Sequence, residues 1–382
     1  ALGYNISEEK FFEPLKDVVT RMKVRASYGL VGNGEIGGAR FAYLSDVNLT
    51  GSSEFTTGIN MNVSMKGPKY NRFANKDLTW EIGRKFNVGI DLTIKNKFNL
   101  TFDVFREDRS DIFQEKATIP SYTGVYGTKA YVNSAKVRNQ GVDASIDFGH
   151  QFNKEFSMTF KGTFTYAHNE IRKYEEAIRD YPNLSRVGYS VSQQWGYLAD
   201  YLFADDVEVA NNPAQMIGGT VGAGDIKYIN IPNRYGEYDQ VIDQNDRMPI
   251  GDPTTPEIVY GFGPSFHWRG FDFSFFFQGV AKTSLFLSDL APFGNDRKRN
   301  IQTFIANDHW SPDNQNIRAS YPRLTAIPLA NNSECSTFWM RDGSFLKLKN
   351  AEIGYTYKNM RFYLRGSNLL TFSKFDLWDP EQ

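Results

Sequence analysis

The sequence is poor in the residues on which many functions depend. Of its 382 residues only Cys335 is a cysteine, which excludes a disulfide framework or a multi-cysteine metal site within the chain. Its four histidines have no partners at the spacing of a helical or hairpin metal site. Lys and Arg number 43 against 44 Asp and Glu, a balance that argues against a nucleic-acid binder.

Long apolar runs are also missing. No segment reaches the roughly 18 uninterrupted apolar residues of a transmembrane helix. The first residues, ALGYNISEEKFFEPL, lack the basic region and apolar run of a signal peptide. We therefore expect either a mature chain or one that begins partway along a longer precursor.

Features that could suggest catalysis have simpler interpretations. Residues 218–224 are rich in glycine but open no predicted helix, which argues against a phosphate-binding loop. The acidic pairs at 175–176 and 205–206 lie in polar segments, where we interpret them as solvated charges rather than as the carboxylates of a glycoside hydrolase. The sequence thus predicts no catalytic residues, no metal ligands and no enzyme activity.

Aromatic residues are abundant. They make up 15% of the chain, although the mean hydropathy is -0.48. Many aromatic side chains in a hydrophilic chain suit a barrel with one lipid face and one wet face. They also suit a secreted carbohydrate-binding β protein, so composition alone leaves both classes open.

Apolar and polar residues alternate over several segments. Because successive side chains of a strand point to opposite faces, each segment predicts a strand with one apolar and one polar face. Several runs reach about 10 residues, enough to cross a bilayer at a tilt, whereas ordinary strands average ~5–6. The alternative is a soluble antiparallel sandwich. The clearest runs are 22–30, 86–94, 98–104, 142–148, 156–166, 260–268 and 271–277.

One predicted strand, residues 345–357, changes phase. Leu346 and Leu348 are even-numbered, whereas Ala351 and Ile353 are odd-numbered. A β-bulge near Lys349–Asn350 returns both halves to one face. The alternative is that residues before Lys349 lie outside the membrane.

Connections of two kinds alternate along the chain. Very short turns are expected at 95–97, 153–155, 269–270 and 358–360, where Gly and Asn suit positive φ. Long polar segments are expected at 108–139, 170–256 and 283–340. In an up-and-down sheet the short turns then lie at one edge and the long loops at the other, as in outer-membrane barrels. We therefore predict an all-β, antiparallel transmembrane β-barrel of about twelve strands in this chain, with long extracellular loops.

Nine stretches resemble the C-terminal region of the SusC/RagA family of TonB-dependent outer-membrane transporters. No single stretch is specific, but the ordered set spans nearly the whole chain. The stretches are RASYGLVGN (25–33), LTWEIGRKFNVGIDL (78–92), VRNQGVDASI (137–146), QQWGYLADYLFADDVEV (193–209), GDIKY (224–228), IGDPTTPEIVYGF (250–262), GFDFSFFFQG (270–279), FLKLKNAEIGY (345–355) and LRGSNLLTF with DPE (364–381).

The resemblance implies that residues 1–382 are the C-terminal portion of a plugged barrel of ~22 strands, with the plug, the TonB box and the first strands absent. It implies import of a glycan or oligopeptide across the outer membrane of a Gram-negative, Bacteroidetes-like bacterium. It also implies a SusD-like surface lipoprotein as the lid and the TonB–ExbB–ExbD complex as the energy source.

The chain departs from the family in two places. After GDIKY the family often carries Asp-x-Asn-x-Asp-Gly, which resembles a calcium loop, whereas this chain reads INIPNRYGEYDQVIDQND (229–246). The Asp-Gly of the preceding loop is Asp200-Tyr201 here. Calcium is therefore the one candidate cofactor, and a doubtful one, and we expect no cofactor.

Aromatic residues on or beside the long segments are the candidates for contact with cargo or partner, because aromatics stack on sugars and dominate interfaces. The alternative is an aromatic girdle at the membrane interface. The candidates are Trp195, Tyr197, Tyr201, Trp310 and Trp339.

The last residues, Asp379-Pro380-Glu381-Gln382, do not suit a closing strand, because Pro cannot donate to a sheet ladder. We expect at least one strand to be missing at this end and several at the start, so that the chain folds only beside a companion segment. The rivals to an importer are a secreted soluble β-sheet protein for glycan binding or adhesion, and a β-rich glycoside hydrolase.

Overall fold

The computed structural model describes residues 1–37, 40–52, 54–117, 127–287, 290, 293 and 300–381. In that part of the chain ten strands form one sheet, and each pairs antiparallel with its neighbours in sequence. They are β1 Leu2–Asn5, β2 Val19–Asn33, β3 Glu81–Ile94, β4 Phe98–Glu115, β5 Tyr131–Gln151, β6 Phe156–Lys173, β7 Ile258–Trp268, β8 Phe271–Ala281, β9 Phe345–Tyr357 and β10 Met360–Ser373.

The pairing aligns the apolar residues of successive strands in rows. One row contains Val24, Ile90, Phe102, Ala144, Phe164 and Tyr260. The row beside it, on the opposite face, contains Lys23, Asp91, Thr101, Ser145, Thr163 and Gly261. Phe164 and Phe275 are 40% and 39% exposed. The sheet therefore has one continuous apolar face, as predicted.

The apolar face is tall enough to cross a membrane. In β6 it extends from Phe156 to Tyr166. At ~3.3 Å per residue and a tilt of ~40°, these ten steps rise about 25 Å, the height of the lipid-facing band of outer-membrane barrels. No helix in the described part of the chain is long and apolar enough to span a membrane.

The predicted bulge in β9 is confirmed. The pairing of β9 with β8 and with β10 shifts between Leu348 and Asn350. Leu348 faces Phe277, and Ala351 faces Phe275, so both halves of the strand present their apolar residues to the same face.

The four predicted tight turns lie at one edge of the sheet. Lys95, Asn96, Arg269 and Gly270 have φ of 49°, 51°, 49° and 89°, the positive values that two-residue hairpins require. The long connections lie at the opposite edge. We call the two edges the turn edge and the loop edge.

Two predictions about the loops and strands were wrong, and one long connection was not predicted. The connection expected at 108–139 covers only 116–130, of which 118–126 lie outside the described residues. Asp111, at φ 58°, lies in an irregularity of the β4–β5 pairing. The irregularity shifts the alternation of apolar and polar residues, so the sequence pattern does not show that the two strands continue beyond it. A further long connection, 34–80, was missed, and the described sheet has ten strands rather than about twelve.

The connection 34–80 contains two short antiparallel strand pairs in its described part, one enclosed by the other. They pair Asp46–Asn48 with Lys69–Arg72, and Glu54–Thr57 with Val63–Lys66. At the turn edge, the 3₁₀ helices Ile6–Glu8 and Lys10–Leu15 connect β1 to β2.

The other two long connections are folded, and we call their described residues within 174–257 and 282–344 the loop domain. Its strand pairs are Gln194–Gly196 with Met248–Ile250, Ala199–Leu202 with Ile226–Tyr228, Ala214–Gln215 with Val241–Ile242, and Ser284–Phe286 with Met340–Asp342. Its helices are the α-helices Asp206–Asn211 and Thr303–Asn307 and the 3₁₀ helices Pro182–Leu184, Gln244–Asp246 and Ala330–Asn332.

Candidate functional site

The loop domain has a hydrophobic core of its own. Leu202, Ile226 and Ile242 are fully buried in it. The core joins residues of both long connections, and Phe375, which follows β10, packs into it as well. Burial of apolar surface away from water therefore holds the connections together as one body above the sheet.

An ion pair between a buried carboxylate and a partly exposed guanidinium connects the two long connections to each other. The Arg323 guanidinium donates from Nε and Nη2 to the two carboxylate oxygens of Asp225, both at 2.7 Å. Asp225 has no exposed surface, and its Oδ1 also accepts a hydrogen bond from Asn332 Nδ2 at 2.8 Å.

Next to this ion pair, Trp310 packs on Gly224. A Cβ added at Gly224 would lie 2.2 Å from the indole ring, so only glycine fits under Trp310.

Three of the five aromatic candidates belong to this core. Tyr197, Trp310 and Trp339 are 2%, 5% and 3% exposed. Trp339 donates from Nε1 to the Asn332 carbonyl at 2.9 Å. Desolvation by burial raises the pKa of Tyr197 to about 12. Their position assigns them to packing, in place of the contact with cargo or partner that their loop location suggested.

Tyr201 and Trp195 are only partly buried. Tyr201 lies in a cluster in which Lys227 Nζ contacts both the Tyr201 hydroxyl, at 3.1 Å, and Glu208 Oε1, at 2.7 Å. Trp195 donates from Nε1 to the Asn183 carbonyl at 3.0 Å and borders a cavity. For these two residues, contact with cargo or partner stays a prediction.

The cavity beside Trp195 has a volume of about 720 Å³ and lies between the end of β4 and the loop domain. The Arg186 guanidinium lies 5.6 Å from the Trp195 ring centroid and 5.8 Å from that of Tyr174. Arg247 also borders the cavity, and its guanidinium lies 5.7 Å from the Tyr197 ring. Two guanidinium groups held by aromatic rings can donate to carboxylate or hydroxyl groups of a ligand without first losing side-chain freedom.

Sequence reasoning named Trp195 as a candidate for contact with cargo or partner, but it gave no indication of the two arginines that border the same cavity. Arginines in irregular loops carry no periodic signal, and their closeness depends on how the loops fold. Tyr181, also at the cavity, donates from its hydroxyl to Asp239 Oδ2 at 2.9 Å. That hydrogen bond raises the pKa of Tyr181 to about 12.

The polar face of the sheet carries charged clusters. Arg25 Nη2 contacts Asp91 Oδ1 at 3.0 Å and Asp103 Oδ2 at 2.9 Å. Arg361 contacts both Asp272 and Glu352. In a barrel these residues face the lumen, where water and protein can solvate charges that lipid cannot.

In the segment corresponding to the calcium loop, one of the four carboxylates, that of Asp246, is engaged by backbone groups. Asp246 is buried, and its two oxygens accept the backbone N–H groups of Ile231 and Asp243, each at 2.7 Å. Desolvation by burial raises the pKa of Asp246. No group of three or more His, Cys, Asp or Glu residues that could hold a metal ion occurs among the described residues. Calcium binding stays untested.

A sheet with an apolar face and a charged face, tight turns at one edge and a folded loop domain at the other, is the wall of an outer-membrane β-barrel. The family model described as "TonB dependent receptor-like, beta-barrel" matches residues 17–369. The chain belongs to this family, whose members are outer-membrane receptors and transporters and do not form an enzyme class.

Curated relatives of the chain are also named as TonB-dependent receptors. TonB-dependent receptor P3 of Formosa agariphila is 24% identical over 100% of this chain and 38% of its own length. TonB-dependent receptor SusC of Bacteroides thetaiotaomicron is 24% identical over 100% of this chain and 37% of its own. The chain thus spans under two fifths of the length of these curated relatives.

Solved structures share the fold. The RagAB peptide importer in its open-open state matches 99% of this chain and 39% of the importer chain, with a TM-score of 0.68 and 21% identity. The same assembly in its closed-closed state matches with a TM-score of 0.67 and 20% identity.

Proposed function

We propose that the protein takes part in TonB-dependent import of an oligomeric nutrient, a glycan or an oligopeptide, across the outer membrane. Membership of the TonB-dependent receptor family carries this proposal. The similarity to an assembly named the RagAB peptide importer supports an oligomeric cargo. In this view the chain contributes the C-terminal part of the barrel wall and its surface loops.

The partners follow from the same proposal. A SusD-like surface lipoprotein covers the loop domain as a lid, and the TonB–ExbB–ExbD complex supplies the energy. The loop domain suits a docking platform, because its own core makes it firm while apolar side chains such as Ile178 and Met216 remain 93% and 72% exposed on its surface. A soluble glycan-binding protein would cover the apolar face of its sheet with a second layer, whereas Phe164 and Phe275 on this face are 40% and 39% exposed.

The cavity beside Trp195 is the proposed point of contact with cargo. Uptake of labelled oligomers by cells that carry the full-length protein tests it. Arg186→Gln should lower the uptake rate several-fold, because a fixed donor is lost. The matched control, Arg318→Gln, changes a loop-domain arginine that does not border the cavity and should leave uptake unchanged.

Native co-purification with mass spectrometry tests the wider proposal. The purified protein should carry a lipoprotein partner and a trapped glycan or peptide. A protein that purifies alone and imports neither cargo class would contradict the proposed function.

A further inference from the structure

The lipid-facing side of the sheet changes character near the loop edge. On β4, β5 and β6 the last apolar row consists of Val104, Val142 and Tyr166. The next row on the same face consists of Arg106, Gln140 and His168. The row beyond it consists of Asp108, Arg138 and Glu170. We call these two polar rows the outer rim, because they lie on the side of the sheet that faces lipid.

A shallow groove of about 430 Å³ connects the outer rim to the apolar face. Phe86, Val104, Val142 and Tyr166 line its apolar part, and Arg106 and His168 line its polar part. A ligand in this groove therefore meets hydrocarbon-like surface below and cationic surface above.

The outer rim and its margins carry more positive than negative charge. Asp108 is shared by two arginines, with Arg106 Nε at 2.7 Å and Arg138 Nε at 2.8 Å. Glu257 is likewise shared by His168 and by Lys282, whose Nζ lies 3.5 Å away. Arg84 and the Glu170–Arg172 ion pair lie at the margins of the rim. The total is then five permanent cations against three carboxylates: Arg84, Arg106, Arg138, Arg172 and Lys282 against Asp108, Glu170 and Glu257.

The cations are available to a ligand. Arg106 and Lys282 are 47% and 51% exposed, and Lys282 Nζ lies 5.5 Å from the ring of Tyr166, which borders the groove. Arg106 and Arg138 bind Asp108 through Nε, and their terminal amino groups have no hydrogen-bond partner among the described residues. Such groups match the geometry of a phosphate.

We propose that the outer rim binds a phosphorylated glycolipid of the outer leaflet. Its phosphate groups contact Arg106 and Arg138 on the rim and Lys282 beside Tyr166, and one acyl chain lies in the groove along Val104 and Val142. The choice of occupant follows from position, because the rim lies where the apolar band ends on the loop side, at the level of the outer-leaflet headgroups. This site is independent of the import proposed above, since it needs only a barrel in the outer membrane whose loop edge is extracellular.

Lipid retention by the full-length protein tests the proposal. The protein is purified in detergent, incubated with lipid A, with dephosphorylated lipid A or with phosphatidylglycerol, and analysed by native mass spectrometry. Wild type should retain lipid A and lose it when the phosphates are removed. Arg106→Gln and Lys282→Gln should each weaken retention roughly fivefold, which corresponds to about 1 kcal/mol per basic residue near a membrane surface.

Two controls keep the test decisive. Lys154→Gln removes a cation from the turn edge and should leave retention unchanged, whereas Arg106→Lys should restore most of the binding lost in Arg106→Gln. Heat-modifiable gel migration confirms that each variant is folded, and import is measured in parallel. Equal retention of lipid A and its dephosphorylated form, or stronger retention of phosphatidylglycerol, would overturn the proposal. So would equal losses in Lys154→Gln and Arg106→Gln.

Discussion

The barrel wall and the loop domain bury their apolar residues in different ways. In β4 and β6 of the wall, Val104 and Phe164 are 45% and 40% exposed, while in the loop domain Leu202 and Ile242 have no exposed surface. The wall relies on backbone hydrogen bonding between strands and on lipid as its apolar partner, whereas the loop domain relies on burial away from water. One chain thus contains a region whose apolar residues face lipid and a region whose apolar residues are buried away from water.

The Asp225–Arg323 ion pair should give the largest effect. Arg323→Met leaves the buried Asp225 carboxylate without its cation, which costs at most about 3–5 kcal/mol because Arg323 itself is 32% exposed. We expect the loop domain to be cut rapidly in limited proteolysis while heat-modifiable migration still reports a folded wall. Arg234→Met is the matched control, because the Arg234–Asp180 pair is exposed and contributes about 0–1 kcal/mol. Loss of the wall together with the loop domain would mean that the two regions are not separate.

The lipid face of the wall should give the next largest effect. Phe164→Arg places a charge in lipid and should cost ~2–4 kcal/mol near the midplane. Thr163→Arg, on the opposite face, should be nearly harmless because its side chain enters a wet lumen. Urea folding titrations of the two variants measure both costs. Equal destabilisation would remove the assignment of the faces.

The position of the loop domain can be tested on whole cells. Surface protease should cut within 283–340, because the loop edge is predicted to be extracellular. Shortening this connection should lower uptake while the wall still assembles. Cleavage that requires an opened outer membrane would place the loop edge in the periplasm and invert the topology.

A smaller effect concerns the pH response of the loop domain. The hydrogen bond to Asp239 raises the pKa of Tyr181 to about 12. The stability that this bond contributes is therefore complete below pH ~10, the ordinary tyrosine pKa, and is lost as the pH rises through about 12. The difference between wild type and Tyr181→Phe in an ultraviolet titration should show a midpoint near 12. In Asp239→Asn the Tyr181 midpoint should move down toward 10, and an unchanged midpoint would exclude Asp239 as the cause.

The two regions also differ in how far sequence alone could predict them. Alternation predicted β6 and its faces, and the tight turn at 95–97 predicted the turn edge, because both signals are local. The sequence of the loop domain has no regular alternation of apolar and polar residues. The contact between Asp225 and Arg323 spans 98 residues, and the burial of Trp310 depends on that long-range folding. Aromatics that looked like surface contacts were therefore core residues, while Arg186 at the cavity gave no signal.

The central claim is that this chain forms a wall with lipid on one face and the barrel lumen on the other. Spin labels placed one at a time at positions 158–165 of the full-length protein, in a Cys335→Ser background reconstituted in lipid, test it most directly. Collision with oxygen dissolved in the bilayer should be high at 158, 160, 162 and 164, and collision with a water-soluble nickel chelate should be high at 159, 161, 163 and 165. The absence of a two-residue period, or the opposite phase, would contradict the claim.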